Sequence, residues 1–175
     1  MKARKIKVAY TPDISTDAVA ELTVALLLAA GRRLFQANNE ILNGGWAKCS
    51  WSPLWMTGQG LATSTVGIFG LGRIGLGVLK RLQGFNVAKF LYNDCHREKE
   101  GEELGAEFVS FDDLLTQSDF VIITAALTED TKEIFNAEAF SKMKPTTILV
   151  NISRGGDNII HFSLDTMVIT ILFQR

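Results

Sequence analysis

Runs of consecutive apolar residues divide the chain from residue 65 onward into a regular series. These runs are apolar throughout and do not alternate with polar residues, which is typical of strands buried on both faces of a parallel sheet. The segments between the runs have the length and polarity of helices. This order predicts an α/β fold with a doubly wound, mostly parallel sheet. Strands are predicted at Thr65–Phe69, Val87–Tyr92, Glu107–Ser110, Phe120–Thr124 and Thr147–Ile152, and helices at Arg73–Leu82, Phe111–Gln117 and Asn136–Lys142.

The N-terminal part of the chain has a different pattern. Lys5–Tyr10 predicts a short strand. Thr16 or Asp17 is predicted to cap a helix that runs to about Arg33, because their side-chain oxygens accept the free amides of a first turn. Apolar residues surround most of this helix, which predicts burial on several sides. Its apolar run, Ala18–Ala30, contains a glutamate and is too short to cross a bilayer.

The segment Asn43–Gly60 predicts a loop, because it contains two adjacent glycines and a proline. It also holds all three tryptophans, Trp46, Trp51 and Trp55. Such a cluster indicates either a loop folded over the core or an exposed surface for a partner. The sequence leaves both interpretations open.

Composition narrows the class of protein. Hydrophobic residues make up 47% of the chain and charged residues 21%, which indicates a globular protein. The net charge of −1 gives no indication of nucleic-acid binding, and the charged run Arg97–Glu103 predicts a solvated helix face. Charges near the N-terminus argue against a secretory signal peptide. The two cysteines, Cys49 and Cys95, predict neither a disulfide framework nor a metal site, and they fit a reducing, cytoplasmic compartment.

The sequence GLGRIG at residues 70–75 is a G-x-G-x-x-G motif. It follows a predicted strand directly and opens a predicted helix, and this context indicates a Rossmann-type dinucleotide site. Gly70 permits the tight turn, Gly72 lets the pyrophosphate approach the backbone, and Gly75 lets the helix pack against the strand. The amides at the start of the helix then face the phosphates.

An acidic residue about 20 positions further on is expected to bind the ribose hydroxyls of the adenosine. Asp94 follows Gly75 by 19 residues and comes directly after the second predicted strand. A carboxylate repels a 2′-phosphate, which favours NAD over NADP. His96 and Arg97 are close in sequence and could neutralise that phosphate, so both cofactors remain open.

With several further segments, these motifs resemble the D-isomer-specific 2-hydroxyacid dehydrogenases, and within that family the glyoxylate and hydroxypyruvate reductases. The resemblance extends from about Lys7 to Asp157. It implies hydride transfer between a nicotinamide dinucleotide and a short 2-oxo or 2-hydroxy acid. The segments that carry it are VAYTPD, AELTVALLLAAGRR, NGGW, STVGIFGLGRIG, SDFVIITAALTEDT and FSKMKPTTILVNISRGG.

The resemblance also implies roles for individual residues. Arg154, in the segment NISRG, matches the arginine that holds the substrate carboxylate and polarises its carbonyl, a role suited to a permanently charged planar group. Arg73 and Ile74 follow the glycines at the pyrophosphate. Ala126 and Ile152 are expected to line the cofactor through backbone or apolar contacts.

The resemblance further implies a division of the chain into three parts. Residues 1–16 match a remnant of the substrate-binding domain, residues 17–157 the NAD(P)-binding domain, and residues 158–175 form a divergent apolar tail. In the family, the catalytic glutamate follows a GLDV strand and the catalytic histidine lies in a PHIG-like segment, and this sequence has neither motif. No glutamate follows Glu138, and His161 is the only histidine in the tail. We therefore expect a chain truncated at both ends, from alternative splicing or an imperfect gene model, without this acid/base pair.

Two late strands of the Rossmann sheet have no counterpart in the sequence, so the sheet is expected to be incomplete on its C-terminal side. This leaves an edge open near Thr147–Ile152. The tail segment Thr166–Phe173 is apolar and β-prone. It is expected either to pair with that edge or to promote aggregation.

Several functions are compatible with these patterns. The first is an NAD(P)-dependent oxidoreductase, and the second is a nucleotide-binding module without catalysis. The third is a dimerisation module, because the helix Asp17–Arg33 and the tryptophan segment correspond to the dimer interface of the family. That interpretation predicts a homodimer or pairing with a full-length enzyme. An inert fragment is the fourth.

Overall fold

The computed structural model describes residues 13–50, 52–153 and, for the backbone, 167–170. The strands in these residues are β1 Thr65–Phe69, β2 Lys89–Asn93, β3 Ala106–Phe108, β4 Phe120–Ile123, β5 Ile148–Asn151 and β6 Met167–Thr170. They form one parallel sheet in the order β3-β2-β1-β4-β5-β6. The chain runs outward from β1 in one direction and from β4 in the other. A crevice for a ligand is therefore expected at the carboxyl ends of these two strands.

Helices and a short 3₁₀ turn connect the strands. None of the helices in the described part of the chain is both long and apolar enough to traverse a lipid bilayer. The helices are α1 Thr16–Gly31, α2 Leu34–Leu42, α3 Gly45–Lys48, α4 Arg73–Leu82, α5 Lys99–Glu103, α6 Phe111–Gln117 and α7 Ala137–Lys142, with the 3₁₀ turn at Gln83–Phe85.

Helices cover both faces of the sheet. On one face α1 and α4 pack against the strands through a cluster that includes Leu27, Ile68 and Leu79. On the other face α6 and α7 contribute to a second cluster, which includes Leu114 and Val121. Burial of one such aliphatic side chain stabilises the fold by about 1.5–3 kcal/mol. The doubly wound α/β fold predicted from the sequence is confirmed.

A polar network ties the amino ends of the strands together. The Asp119 carboxylate accepts hydrogen bonds from the backbone amide of Thr65 and from Lys144 Nζ, both at 2.8 Å. Burial raises the pKa of Asp119, but these two hydrogen bonds outweigh burial and hold the pKa below its usual value. Thr147 Oγ1 also donates to the Ser118 carbonyl at 3.0 Å. These contacts join residues adjacent to β1, β4 and β5.

The strands and helices of the sheet lie close to their predicted positions. β1, α4 and α6 occupy the predicted residues, and the other predicted strands differ from the observed ones by one or two residues at either end. The predicted strand Lys5–Tyr10 lies outside the described residues. β6 pairs in parallel with β5, with Leu149 opposite Val168. The tail therefore adds a strand at the edge that was expected to be open, which confirms the pairing alternative.

The start of α1 differs from the prediction. The N-cap is Ser15, and its side chain makes no capping hydrogen bond. Thr16 and Asp17, the predicted caps, both lie inside the helix. The Asp17 carboxylate instead accepts a hydrogen bond from Arg81 at 2.9 Å. A contact to a residue 64 positions away competes with local capping, and sequence rules that consider only neighbours do not include it.

The burial of α1 also differs from the prediction. One stripe of the helix is fully buried, whereas Leu22 on the other side is exposed and Val19 and Leu26 are partly exposed. The helix is therefore apolar on more sides than this chain buries. The fully buried residues are Ala20, Thr23, Leu27, Ala30 and Gly31.

The predicted loop Asn43–Gly60 contains the short helix α3, and α2 precedes it without having been predicted. α2 has no buried residue. The rings of Trp46 and Trp55 contact each other at an interplanar angle of 58°, with their centroids 5.1 Å apart, and Trp46 remains exposed. Of the two interpretations of the tryptophan segment, the exposed surface is the one that agrees with this arrangement.

Candidate functional site

The turn between β1 and α4 has a backbone that requires glycine at two positions. Gly70 has φ +91°, and a Cβ there would lie 2.5 Å from the backbone of Ala125. A Cβ on Gly75 would lie 2.6 Å from the Gly70 carbonyl oxygen and 3.1 Å from Thr124 Oγ1. Gly70 therefore makes the tight turn, and Gly75 permits close packing of α4 against the sheet.

The start of α4 opens towards solvent. Gly72 is the N-cap of this ten-residue helix, its backbone is extended, and no side chain caps the first turn. A Cβ on Gly72 would meet no atom of the described residues within 4 Å. In this part of the chain, the amides of the first turn and the helix dipole therefore face open space, which is the arrangement that binds phosphate groups.

Asp94 lies beside this turn, one residue after β2. Its Oδ2 accepts the backbone amide of Leu71 and its Oδ1 accepts that of Cys95, both at 2.7 Å. The carboxylate is therefore fixed within the glycine turn itself. The distance in sequence predicted this placement, whereas ribose binding by Asp94 remains a prediction.

The loop after Asp94 carries the two cations that were considered for a 2′-phosphate. Arg97 pairs with Glu102 at 2.7 Å and stacks over the Phe108 ring at 5.1 Å. His96 Nδ1 lies 3.0 Å from Cys95 Sγ. The Arg97 charge is therefore already paired, although an exposed pair of this kind is worth only about 0–1 kcal/mol.

Arg73 and Ile74, predicted at the pyrophosphate, open α4 but have different environments. The Arg73 guanidinium is exposed and pairs with Asp13 at 2.6 Å. Ile74 is partly buried and packs against the core. Since exposed ion pairs are weak, the contact with Asp13 leaves Arg73 able to contact an anion at the helix start.

The remaining predicted residues follow β4 and β5. Ala126 is exposed, and its carbonyl oxygen accepts a hydrogen bond from Thr131 at 2.8 Å. Ile152 is buried in the core, so only its backbone is available to a ligand. Arg154 lies outside the described residues. The structure thus brings the ends of β1, β2, β4 and β5 to one edge of the sheet.

Two residues at this edge were not singled out from the sequence. Thr124 Oγ1 donates a hydrogen bond to the Gly70 carbonyl oxygen. Ser153 Oγ donates to the Ala125 carbonyl oxygen. Each follows the end of its strand by one or two residues, and this position is the signal that could have identified them. They link the glycine turn to the segments that follow β4 and β5.

A glycine turn between β1 and α4, an acid after β2 and a change of strand order at the same edge define a Rossmann dinucleotide-binding domain. A comparison with family profiles agrees with this class. Residues 24–158 match the family "D-isomer specific 2-hydroxyacid dehydrogenase, NAD binding domain". The chain belongs to this family, which confirms the resemblance predicted from its motifs.

Known proteins are similar over most of this chain. Glyoxylate reductase/hydroxypyruvate reductase of Homo sapiens is 51% identical over 89% of the chain and 47% of its own length. Glyoxylate reductase of Pyrococcus horikoshii is 43% identical over 87% of the chain and 46% of its own length. The chain therefore spans about half the length of the curated relatives it matches.

A solved structure extends the similarity to the fold. D-lactate dehydrogenase from Aquifex aeolicus, crystallised with NAD and lactic acid, superimposes with a TM-score of 0.85 at 26% sequence identity. The match covers 99% of this chain and 53% of that one. The agreement therefore includes the edge of the sheet that carries the glycine turn.

Proposed function

We propose that this chain binds NAD(H) at the glycine turn, as the dinucleotide-binding part of an oxidoreductase that reduces glyoxylate, hydroxypyruvate or a similar short 2-oxo acid. The observation that carries the proposal is the juxtaposition of the uncapped start of α4 with the Asp94 carboxylate, which is held at the Leu71 amide. The names of the relatives, which are glyoxylate and hydroxypyruvate reductases, support the substrate class.

Different residues would bind the pyrophosphate and the adenosine ribose of this cofactor. The amides of α4 and the open backbone at Gly72 would hold the pyrophosphate. The Asp94 carboxylate would accept hydrogen bonds from the ribose hydroxyls and would repel a 2′-phosphate. Because of this repulsion, we propose a preference for NAD(H) over NADP(H).

The reaction needs groups beyond the cofactor site. The bound nicotinamide supplies the hydride, and Arg154 would hold the carboxylate of the acid, as its motif implies. Residues 1–175 include neither the GLDV nor the PHIG segment that carries the glutamate and histidine in the family. A polypeptide of these residues is therefore expected to bind the dinucleotide with turnover reduced on the order of a hundredfold or more.

A charge introduced at the pyrophosphate position tests the site. Gly72→Asp places a carboxylate at the start of α4, whereas Gly84→Asp is a matched control, since a Cβ at either glycine meets no atom within 4 Å. We expect Gly72→Asp to weaken NADH binding at least about tenfold, or about 1.4 kcal/mol. Gly84→Asp should leave binding unchanged. Titration with NADH and NADPH, followed by cofactor fluorescence, measures both effects. Equal affinities in both variants would contradict the proposed site.

A second function, self-association, is supported by the exposed apolar residues of α2, α3 and the segment that follows. Clusters of this kind on a soluble domain mark interaction sites more often than not. We propose that this apolar helix surface mediates a homodimer or pairing with a longer relative. Its residues are Leu34, Phe35, Ile41, Leu42, Trp46 and Leu54, each more than half exposed.

Sedimentation equilibrium at micromolar concentration tests this surface. Phe35→Glu should shift the chain towards monomer, because burying a new charge opposes association. Leu127→Glu introduces the same charge at an exposed leucine outside the surface and should leave the association unchanged. A wild-type chain that is monomeric under these conditions would contradict the proposal.

We also propose a reducing compartment, the cytoplasm, as the location of the protein. Cys49 and Cys95 are both free and exposed, which is an arrangement that a reducing environment preserves. Imaging of a tagged chain by fluorescence microscopy would test this proposal.

A further inference from the structure

Three consecutive residues at the end of β2 carry side chains of three different metal-binding types. Asp94, Cys95 and His96 each offer one ligand atom, and these atoms all lie within 4.8 Å of one another. Cys95 Sγ and His96 Nδ1 lie 3.0 Å apart. Cys95 and His96 lie outside the glycine turn, whereas Asp94 belongs both to this cluster and to the proposed cofactor site.

The backbone holds this cluster in place from both sides. Asp94 is fixed by the Leu71 amide at 2.7 Å, and the Glu98 amide donates to Tyr92 Oη at 2.9 Å. Tyr92 is fully buried. The segment between these two anchors is therefore short and tied to the core. The Cys95 and His96 side chains on it are nevertheless exposed and able to rotate.

The ligand types and their spacing suit a zinc-class cation. Thiolate, imidazole and carboxylate together favour Zn²⁺ over the harder Mg²⁺ and Ca²⁺. At zinc–ligand distances of about 2.0–2.3 Å, the ligand atoms of a tetrahedral site are about 3.3–3.8 Å apart. The separation of 3.0 Å between Cys95 Sγ and His96 Nδ1, and the upper limit of 4.8 Å for all three atoms, are compatible with these values. Small rotations of exposed side chains would complete the geometry, with a solvent molecule as the fourth ligand.

A neighbouring carboxylate stands where an orienting partner for the histidine is expected. His96 Nε2 lies 4.0 Å from Glu98 Oε2, on the ring nitrogen opposite the one that faces Cys95. A histidine that binds a metal through one nitrogen commonly donates its other N–H to a carboxylate. The separation of 4.0 Å is longer than a hydrogen bond, and a small rotation of the exposed His96 ring would bring Glu98 into this role.

We propose that Asp94, Cys95 and His96 form a binding site for a zinc-class divalent cation, with Glu98 orienting His96, and that an occupied site excludes the nicotinamide dinucleotide. The exclusion rests on the proposed function, because the Asp94 carboxylate would be needed by both the cation and the ribose. Metal availability would then regulate cofactor binding through a single shared side chain.

Cobalt titration of the full chain, without nucleotide, tests the cation site. Co²⁺ bound to a thiolate gives an intense charge-transfer absorption band, which should appear with wild-type protein and be lost in Cys95→Ser. His96→Asn should weaken binding, and Glu98→Gln should weaken it about 10- to 100-fold. Cys49→Ser and His161→Asn are matched controls, since they remove the only other cysteine and histidine of the chain. Absence of the band in wild type, or its persistence in Cys95→Ser, would overturn the site.

A second titration tests the exclusion. The apparent affinity for NADH should fall in proportion to the Zn²⁺ concentration in wild type and Cys49→Ser, and should be insensitive to Zn²⁺ in Cys95→Ser. Simultaneous binding of both ligands would overturn the exclusion. The two proposals fail separately. Cobalt binding without NADH binding would contradict the proposed function alone, and NADH binding without a cobalt band would contradict the cation site alone.

Discussion

The two edges of the parallel sheet use their polar groups in opposite ways. At the amino ends, Asp119 is satisfied within the protein by the Thr65 amide and by Lys144. At the carboxyl ends, among the residues that the structure describes, the start of α4 has no side-chain cap and the backbone at Gly72 faces open space. One edge is closed by its own side chains, and the other keeps donors available for a ligand. The closed edge also holds Ser118, whose buried Oγ has no hydrogen-bond partner in the described part of the chain. The comparison therefore teaches that uncapped backbone donors at the start of a helix, and not unsatisfied groups in general, distinguish the edge where the cofactor is proposed to bind.

The largest expected effect is on the turn that builds the open edge. Gly70→Ala should destabilise the protein by about 3 kcal/mol, because it combines a left-handed backbone with a close approach to Ala125. Gly105→Ala is the matched control, since Gly105 has φ +84° but open space around its Cβ position. We expect it to cost only about 1–2 kcal/mol. Urea unfolding followed by circular dichroism measures both values, and equal losses would show that the contact with Ala125 is unimportant.

The next effect concerns the closed edge. Asp119→Asn removes the ion pair with Lys144 and weakens the bond from the Thr65 amide, so we expect a loss of about 1–2 kcal/mol. Asp112→Asn, at an exposed carboxylate paired with Lys142, should cost less than about 0.5 kcal/mol. NADH affinity should be unchanged in both variants. A loss of NADH binding in Asp119→Asn would mean that the two edges are not independent.

The contribution of Asp119 to the free energy of unfolding should decrease at acidic pH. Its pKa is lower in the folded protein than in the unfolded chain, where the usual value is about 3.9. The stabilisation is therefore fully present above about pH 4 to 5 and is lost as the pH falls through the folded pKa. The difference in unfolding free energy between wild type and Asp119→Asn should narrow from pH 7 towards pH 3. A constant difference would contradict the assignment.

The last of these effects concerns Asp94, the acid at the proposed cofactor site. Both of its carboxylate oxygens accept a backbone amide, and Asp94→Asn replaces one of them by an NH₂ group, so we expect the free energy of unfolding to fall by about 1 kcal/mol. NADH affinity should fall about tenfold, or about 1.4 kcal/mol, whereas NADPH affinity should fall less because the repulsion of a 2′-phosphate is removed. Parallel titrations with the two cofactors measure the ratio. An unchanged ratio would place the ribose away from Asp94.

The sheet could be predicted from the sequence because each strand and turn is marked by residues within its own segment. The apolar runs of β1 and β4 and the glycines at 70, 72 and 75 each carry their own signal. The placement of Asp94 followed from its distance to Gly75 alone. Where side chains are fully buried on both faces, the pattern and the observed strand agree to within two residues.

The features that were missed depend on contacts between distant parts of the chain. The ion pair between Asp119 and Lys144 spans 25 residues, and the hydrogen bond from Thr124 to Gly70 spans 54. The cap of α1 was predicted wrongly because Asp17 pairs with Arg81. α2 was also missed, although Leu34, Phe35, Ile41 and Leu42 recur at the spacing of one helix face, which is the local signal that could have identified it.

The placement of the tryptophans has a spectroscopic consequence. All three lie between residues 46 and 55, and the contacting pair Trp46–Trp55 belongs to the segment after α2. Intrinsic tryptophan emission therefore reports on this segment alone, whereas far-ultraviolet circular dichroism averages over the whole backbone. Melting curves from the two signals would coincide if the segment unfolds together with the sheet. They would separate if the tryptophans belong to a cooperative unit of their own.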